Sequence, residues 1–251
     1  MKRASYIICT SPRSGSTLMC RLLAATGIAG DPESLFYRPS VEDWMTRMNV
    51  HPGDVTERER LESIVQAAIQ KGRGQTPTFG LRQQQPSFAF LCQKLAVLHP
   101  EAATDLDRIE RTFGPTQFIH LTRHDKVDQA VSYLKAVQSG LWHVAVDGSE
   151  WERTSAPQDP VYDAGAIRDW VGTFESYDRS WNEWFNREGI DPIRISYDEL
   201  SAAPVAVLRF ALASLGLDPR TATSVEPEVR KMADATNRDW VARFRKEMAH
   251  R

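Results

Sequence analysis

The stretch Thr10-Ser11-Pro12-Arg13-Ser14-Gly15-Ser16-Thr17 follows the unbroken apolar run Tyr6-Ile7-Ile8-Cys9 and leads into Leu18, Leu22, Leu23 and Ala25, before Thr26-Gly27. A short continuous apolar run predicts a buried parallel strand. The spacing after Ser16 predicts a helix that closes at the glycine. A loop between these two elements gathers the free N–H groups of a helix start, where anions bind. Gly15 allows the backbone to approach such an anion closely. Ser14, Ser16 and Thr17 add hydroxyl donors and Arg13 a cationic fork, each charge-assisted bond contributing about 1.5–3 kcal/mol. A turn that merely caps a helix needs only one such hydroxyl. A nucleoside triphosphatase loop carries Lys between its glycine and Ser/Thr. Here Gly15 runs directly into Ser16-Thr17, so magnesium-dependent ATP chemistry lacks its main phosphate-binding side chain.

Further along, Gln117–Thr122 predicts a second strand, followed by a helix through Val127, Ala130, Val131, Leu134 and Val137. Pro192–Tyr197 predicts a third, ending at an acidic turn, Asp198-Glu199. Helical segments are expected over 58–71, 87–98, 164–188 and 204–215. Strands separated by helices give an α/β fold, a P-loop-type parallel sheet flanked by helices, in one domain over 1–251. Residues 72–77 read as a loop. So do 146–163, which are long enough to be either a substrate lid or a plain surface loop. Arg123 ends the second strand, and Ser132 lies nine residues later on the following helix. An arginine at the carboxyl end of a parallel strand points into the ligand crevice of such sheets, so this pair predicts a second anion site.

The formal net charge of −2 gives no overall basic field, so any anion site is local and nucleic acid is not the expected partner. Three cysteines, Cys9, Cys20 and Cys92, offer neither a disulfide framework nor a metal-type pair, so a reducing compartment and no metal are expected. The apolar run at 6–9 is too short for a signal peptide, and no stretch has the length of a membrane span. A cytoplasmic protein without stable membrane insertion is the expectation.

TSPRSGST after the first strand, LTRHDKVDQAVS at 121–132, ADATNRDWVARFR at 233–245, and TGIAGDPESLF, AVQSGLW and WNEWF between them resemble the bacterial Stf0-type sulfotransferases. The resemblance runs through most of the chain. It implies the sulfotransferase fold, 3′-phosphoadenylyl sulfate (PAPS) as donor co-substrate, and a carbohydrate or glycolipid-type acceptor hydroxyl, since the type member acts on a disaccharide. It also implies a homodimer. Carried over by position, Arg13, Ser14, Gly15, Ser16 and Thr17 would hold the 5′-phosphosulfate, with Arg13 stabilising the charge of transfer. Arg123 and Ser132 would hold the 3′-phosphate.

Transfer to a hydroxyl gains from a positioned base. The family places a catalytic glutamate after the first helix, within Gly30-Asp31-Pro32-Glu33-Ser34. Counted from Gly27 and Gly30 it falls on Ser34, so Glu33, one residue earlier, is the expected base. His51, His120, His124 and His143 are rivals because histidine titrates near neutrality, although His120 alternates within a strand and reads as core. Arg82, after Gly80, could steady the leaving phosphate, orient the acceptor, or be an ordinary surface arginine. Trp142, Trp151 and Trp240 could stack on sugar or adenine, whereas Trp181, Trp184 and Phe185 at helical spacing read as core. Residues 230–234, with Lys231, and Trp240–Arg243 would close over the donor. Two rival functions stay open: a small-molecule kinase and a non-catalytic phosphoadenosine-binding module.

Overall fold

Every residue of strand β1 (Ser5–Thr10) is buried, because it lies between two other strands and under helices on both faces. The computed structural model describes residues 5–144, 149–225 and 235–249. After β1 come α1 (Ser16–Ala25), α2 (Val41–Met48), α3 (Glu57–Arg73), β2 (Phe79–Gln84), α4 (Gln85–Leu98), α5 (Asp105–Phe113) and β3 (Thr116–Thr122). Then follow α6 (Lys126–Ser139), the ribbon strands β4 (Leu141–Val144) and β5 (Glu150–Arg153), α7 (Ala164–Glu188), β6 (Ile193–Ser196), α8 (Tyr197–Ala202) and α9 (Pro204–Ser214). A 3₁₀ helix at Pro219–Ser224 and α10 (Ala235–Ala249) complete the described elements. The main sheet has the order β2-β1-β3-β6, and all of its pairings are parallel.

Strand side chains alternate between faces, and the core divides accordingly. Ile7 and Cys9 join Phe79, Leu81 and Phe118 against Ile64 of α3, Leu91 of α4, Phe113 of α5 and Trp181 of α7. Tyr6 and Ile8 join Ile119, Leu121 and Ile195 against Leu22 and Leu23 of α1 and Leu208 and Leu212 of α9. Burying each of these large side chains contributes about 1.5–3 kcal/mol. A third cluster, with Val131, Phe174, Trp240 and Phe244, packs α6, α7 and α10 together.

The three expected strands are present, and β2 adds a fourth. Its sequence, Phe79-Gly80-Leu81-Arg82-Gln83-Gln84, is too polar to read as a buried strand. It is buried because Arg82 and Gln84 turn towards the site rather than to open water. The expected loop over 146–163 contains β5, which pairs antiparallel with β4; residues 146–148 lie outside the described residues. The acidic turn at Asp198-Glu199 is the first turn of α8, fixed by a capping box between Ser196 and Glu199. No described helix is long and apolar enough to cross a membrane.

His120 is a core residue, 2% exposed. Its Nδ1 lies 3.2 Å from the Arg194 guanidinium, and its ring meets Phe185 edge-on. Burial, reinforced by Arg194 and Lys126, lowers its pKa to about 4. The folded protein therefore resists a proton that the unfolded chain accepts near pH 6.5. Stability complete above pH 6.5 is expected to fall by about 3 kcal/mol as the pH drops towards 4. Urea midpoints across that window, compared between wild type and His120→Gln, should show a shallower fall in the variant.

Candidate active site

The loop between β1 and α1 is held from beneath and from the side. Thr10 Oγ1 lies 2.5 Å from Ser14 Oγ and donates to the Leu121 carbonyl at 2.8 Å. The fully buried Gln129 of α6 donates to Ser11 Oγ at 3.0 Å and to the Pro12 carbonyl at 2.7 Å. Arg13 and Gly15 are both left-handed, with φ of 62° and 85°. Such alternation turns successive N–H groups towards one point and builds an anion nest. For Arg13 it costs about 1–3 kcal/mol of backbone strain. Gly15 is the N-cap of α1 and makes no side-chain cap, so first-turn amides are left for a ligand. A Cβ there would lie 2.4 Å from Cδ2 of Tyr197, so the ring packs directly on the loop.

Arg123, at the end of β3, is 5% exposed. It donates to the Arg13 carbonyl at 3.1 Å, pairs with Asp128, and lies 4.4 Å over the Tyr197 ring. Arg13 in turn donates to Ser132 Oγ at 3.0 Å and to the Trp142 carbonyl at 2.5 Å. Burial, with the Arg123 charge beside it, lowers the Arg13 pKa to about 10. Two guanidinium groups brought together out of water form a site whose electrostatics favour an anion.

On the other side of the loop, the chain after α1 runs alongside β2. Glu33 and Leu81 form a parallel bridge, and Arg82 N donates to the Glu33 carbonyl at 3.0 Å. This bridge brings Ser34 to Arg82, whose Nε donates to Ser34 Oγ at 2.6 Å and whose NH1 donates to Thr17 Oγ1 at 2.8 Å. A cavity of about 980 Å³ spans this whole edge, from Tyr197 and Ser132 past the loop to Ser34, Arg82 and Gln84. An adjoining pocket of about 230 Å³ holds Asp31 and Glu33 and shares Thr17, Arg47, Arg82 and Glu152 with the cavity.

The profile of the Stf0 sulphotransferase family matches residues 5–247. The chain belongs to this family. It is 30% identical over 260 residues to the trehalose 2-sulfotransferase of Mycobacterium tuberculosis (strain Erdman), covering 96% of this chain and 94% of that one. It is 29% identical over 266 residues to the trehalose 2-sulfotransferase of Mycolicibacterium smegmatis, covering 97% and 95%. Among solved structures, the sulfotransferase domain of the Synechococcus PCC 7002 olefin synthase is similar at a TM-score of 0.45 and 16% identity, covering 97% of this chain and 94% of that one.

Within this Stf0 sulfotransferase, the residues read from the sequence fall in distinct places. Arg13, Gly15, Ser16, Thr17, Arg123 and Ser132 all line the large cavity. Ser14 is fully buried, its hydroxyl engaged by Thr10. Glu33 faces the adjoining pocket, its carboxylate half-exposed and 3.5 Å from Arg47. Arg82 is part of the site rather than a surface residue. His124 is exposed beside Asp198 at 3.5 Å, and His51 is exposed on a loop; neither lines the cavity. The side chains of His143 and Trp151, and all of 230–234 with Lys231, lie outside the described residues. Trp142 and Thr154 line the cavity, so the ribbon β4–β5 forms one of its walls. Trp240 and Arg243 pack on Tyr162 instead, and α10 reaches the cavity through Asn237.

Sequence reading missed Tyr197, Gln84 and Glu152, all of which line the cavity. The rule that singled out Arg123, a side chain just beyond a parallel strand, applies equally to Tyr197 after β6. No local signal marks Gln84 or Glu152.

Alanine at Gly15 would meet both a left-handed backbone and the Tyr197 ring. Gly15→Ala is expected to lower stability by about 1–3 kcal/mol.

Proposed function

We propose that this chain transfers a sulfuryl group from PAPS to a hydroxyl of a carbohydrate acceptor by direct in-line displacement. The observation that carries this reading is the meeting of half-buried Arg13 and buried Arg123 between the anion loop and Ser132. A donor with a 5′-phosphosulfate and a 3′-phosphate presents two anionic groups to one such edge. Arg13, Gly15, Ser16 and Thr17 would hold the first, and Arg123 and Ser132 the second. The carbohydrate acceptor is supported by the two relatives named trehalose 2-sulfotransferase.

In the reaction an S–O bond forms to the acceptor oxygen as the bond from sulfur to the bridging oxygen of the 5′-phosphosulfate breaks. The electron pair leaves on the 5′-phosphate of adenosine 3′,5′-bisphosphate. Arg13 and the loop amides stabilise that developing charge, as preorganised donors do in group transfer. Arg82, fixed by Ser34 and Thr17, places a further cation beside the loop. Glu33 takes the acceptor proton. Its support is position: its pocket shares Thr17 and Arg82 with the cavity, and its carboxylate lies 3.5 Å from the Arg47 guanidinium. Glu152 is the other carboxylate on that shared wall.

Calorimetry tests the donor site. Adenosine 3′,5′-bisphosphate should bind without metal, and Arg123→Ala should weaken it ten- to hundredfold, about 1.4–2.8 kcal/mol. A preference for ADP with magnesium overturns the reading in favour of a kinase. Binding without transfer to any acceptor makes the chain a phosphoadenosine-binding module. Where transfer is observed, Glu33→Gln should lower kcat by about 10²–10⁴-fold without changing bisphosphate affinity. Full activity in Glu33→Gln, with loss in Glu152→Gln, moves the base to Glu152.

A further inference from the structure

Gln84 closes β2 and begins the turn into α4. In the sheet register Arg82 lies beside Ile8 and Gln84 beside Thr10, where the anion loop starts. Because side chains two apart share a face, Arg82 and Gln84 both line the cavity. Gln83, between them, is turned away and donates to Ser87 Oγ at 2.9 Å.

The Gln84 residue is only 8% exposed, and its Oε1 finds no hydrogen-bond partner among the described residues. Other buried side-chain atoms share that condition: Arg60 Nε, Gln83 Oε1, Arg108 Nε, His120 Nε2 and Trp184 Nε1. None of those residues lines the cavity. Nor does Gln84 cap α4, although it occupies the N-cap position. A buried oxygen left unpaired bears its full desolvation cost, and a turn of the carboxamide towards the cavity that Gln84 lines would let a ligand hydroxyl offset it.

The sheet order assigns this ligand to the acceptor rather than the donor. With β1 between them, β2 stands on one side of the anion loop and β3 and β6 on the other. Arg123 and Tyr197 follow β3 and β6, so the nucleotide side lies away from Gln84. On the β2 side the cavity is lined by Ser34, Arg82 and Gln84. A carboxamide is uncharged and both donates and accepts, which suits a hydroxyl. Arg38 and Arg47 pair with Asp43 and Glu33, whereas Arg82, bonded to the Ser34 and Thr17 hydroxyls, disfavours a cationic group.

We infer that Gln84 positions a neutral polyhydroxylated acceptor by bonding a hydroxyl other than the one sulfated. The inference rests on the sulfuryl-transfer reading of the cavity, and its test separates the two. Transfer from labelled PAPS to glucose, trehalose, maltose and sucrose would be measured for wild type, Gln84→Met and Gln84→Glu. Bisphosphate calorimetry and thermal melting would be run on each protein. Gln84→Met should keep bisphosphate affinity within about twofold, while its acceptor KM rises about tenfold or more and kcat changes less. Gln84→Glu, which keeps an accepting oxygen, should retain more acceptor affinity than Gln84→Met.

An unchanged KM in Gln84→Met overturns the inference. So does a Gln84→Met protein that melts early and loses the bisphosphate, since Gln84 is then structural. A wild type that binds bisphosphate yet sulfates none of these sugars also overturns it, leaving the donor site intact. A wild type that fails to bind bisphosphate instead removes the sulfuryl-transfer reading itself.

Discussion

Two arginines held side by side constrain much of this carboxyl edge. Arg13 reaches its place only because its backbone is left-handed, and Arg123 only because β3 ends where it does. Mutual repulsion and lost hydration oppose the arrangement, as the lowered Arg13 pKa records. Asp128, Ser132, the Trp142 carbonyl and the Tyr197 ring each contact one of the pair. Asp128 is anionic, and the Glu152 charge also acts on Arg13. A bound anion is the further partner that two adjacent guanidinium groups favour.

Sheet topology converts this cluster into a directional site. Because β1 lies inside the sheet, its loop has neighbours on both sides. On one side β3 and β6 deliver Arg123 and Tyr197, and α6 delivers Ser132 and Gln129. On the other, β2 delivers Arg82 and Gln84, and the segment bridged to it delivers Ser34. Two sets of cavity-lining side chains therefore rest on different strands while meeting at one loop. The bracing from Gln129 and Thr10 keeps that loop preorganised, so little of the binding free energy goes into ordering it.

Much of the anion-loop side of the cavity was legible in the sequence because its signals are local. A buried strand, a glycine-containing turn and a helix start are contiguous, and Arg123 to Ser132 spans a single strand-to-helix turn. The β2 side of the cavity was less legible because it is assembled by pairing across the sheet. Arg82 and Gln84 sit in a segment whose polar pattern argues against a buried strand, and only the cavity beside it explains those side chains. Glu152 depends on a ribbon whose second strand lay within an expected loop. The capping box from Ser196 to Glu199 was readable, yet the acidic residues drew attention to a turn rather than to a helix start.

The position of Glu33 shows how much one residue of register can decide. In the bridge to Leu81 the Glu33 backbone pairs with β2, while the next residue, Ser34, lines the main cavity. Adjacent side chains in extended chain face opposite ways, which leaves the Glu33 carboxylate in the adjoining pocket with Arg47. Arg82 lines both spaces and is bonded to Ser34 and Thr17. A glutamate at position 34 would place its carboxylate at the Arg82 side of the main cavity, where the serine hydroxyl now stands. With serine there, the Glu33 carboxylate adjoins the main cavity across the wall shared by the two pockets. Glu33 borders that wall from the smaller pocket, and Glu152 belongs to both. Which of the two side chains, Glu33 or Ser34, faces the main cavity is therefore set by the parity of the bridge to Leu81, a property of strand geometry rather than of the anion loop itself.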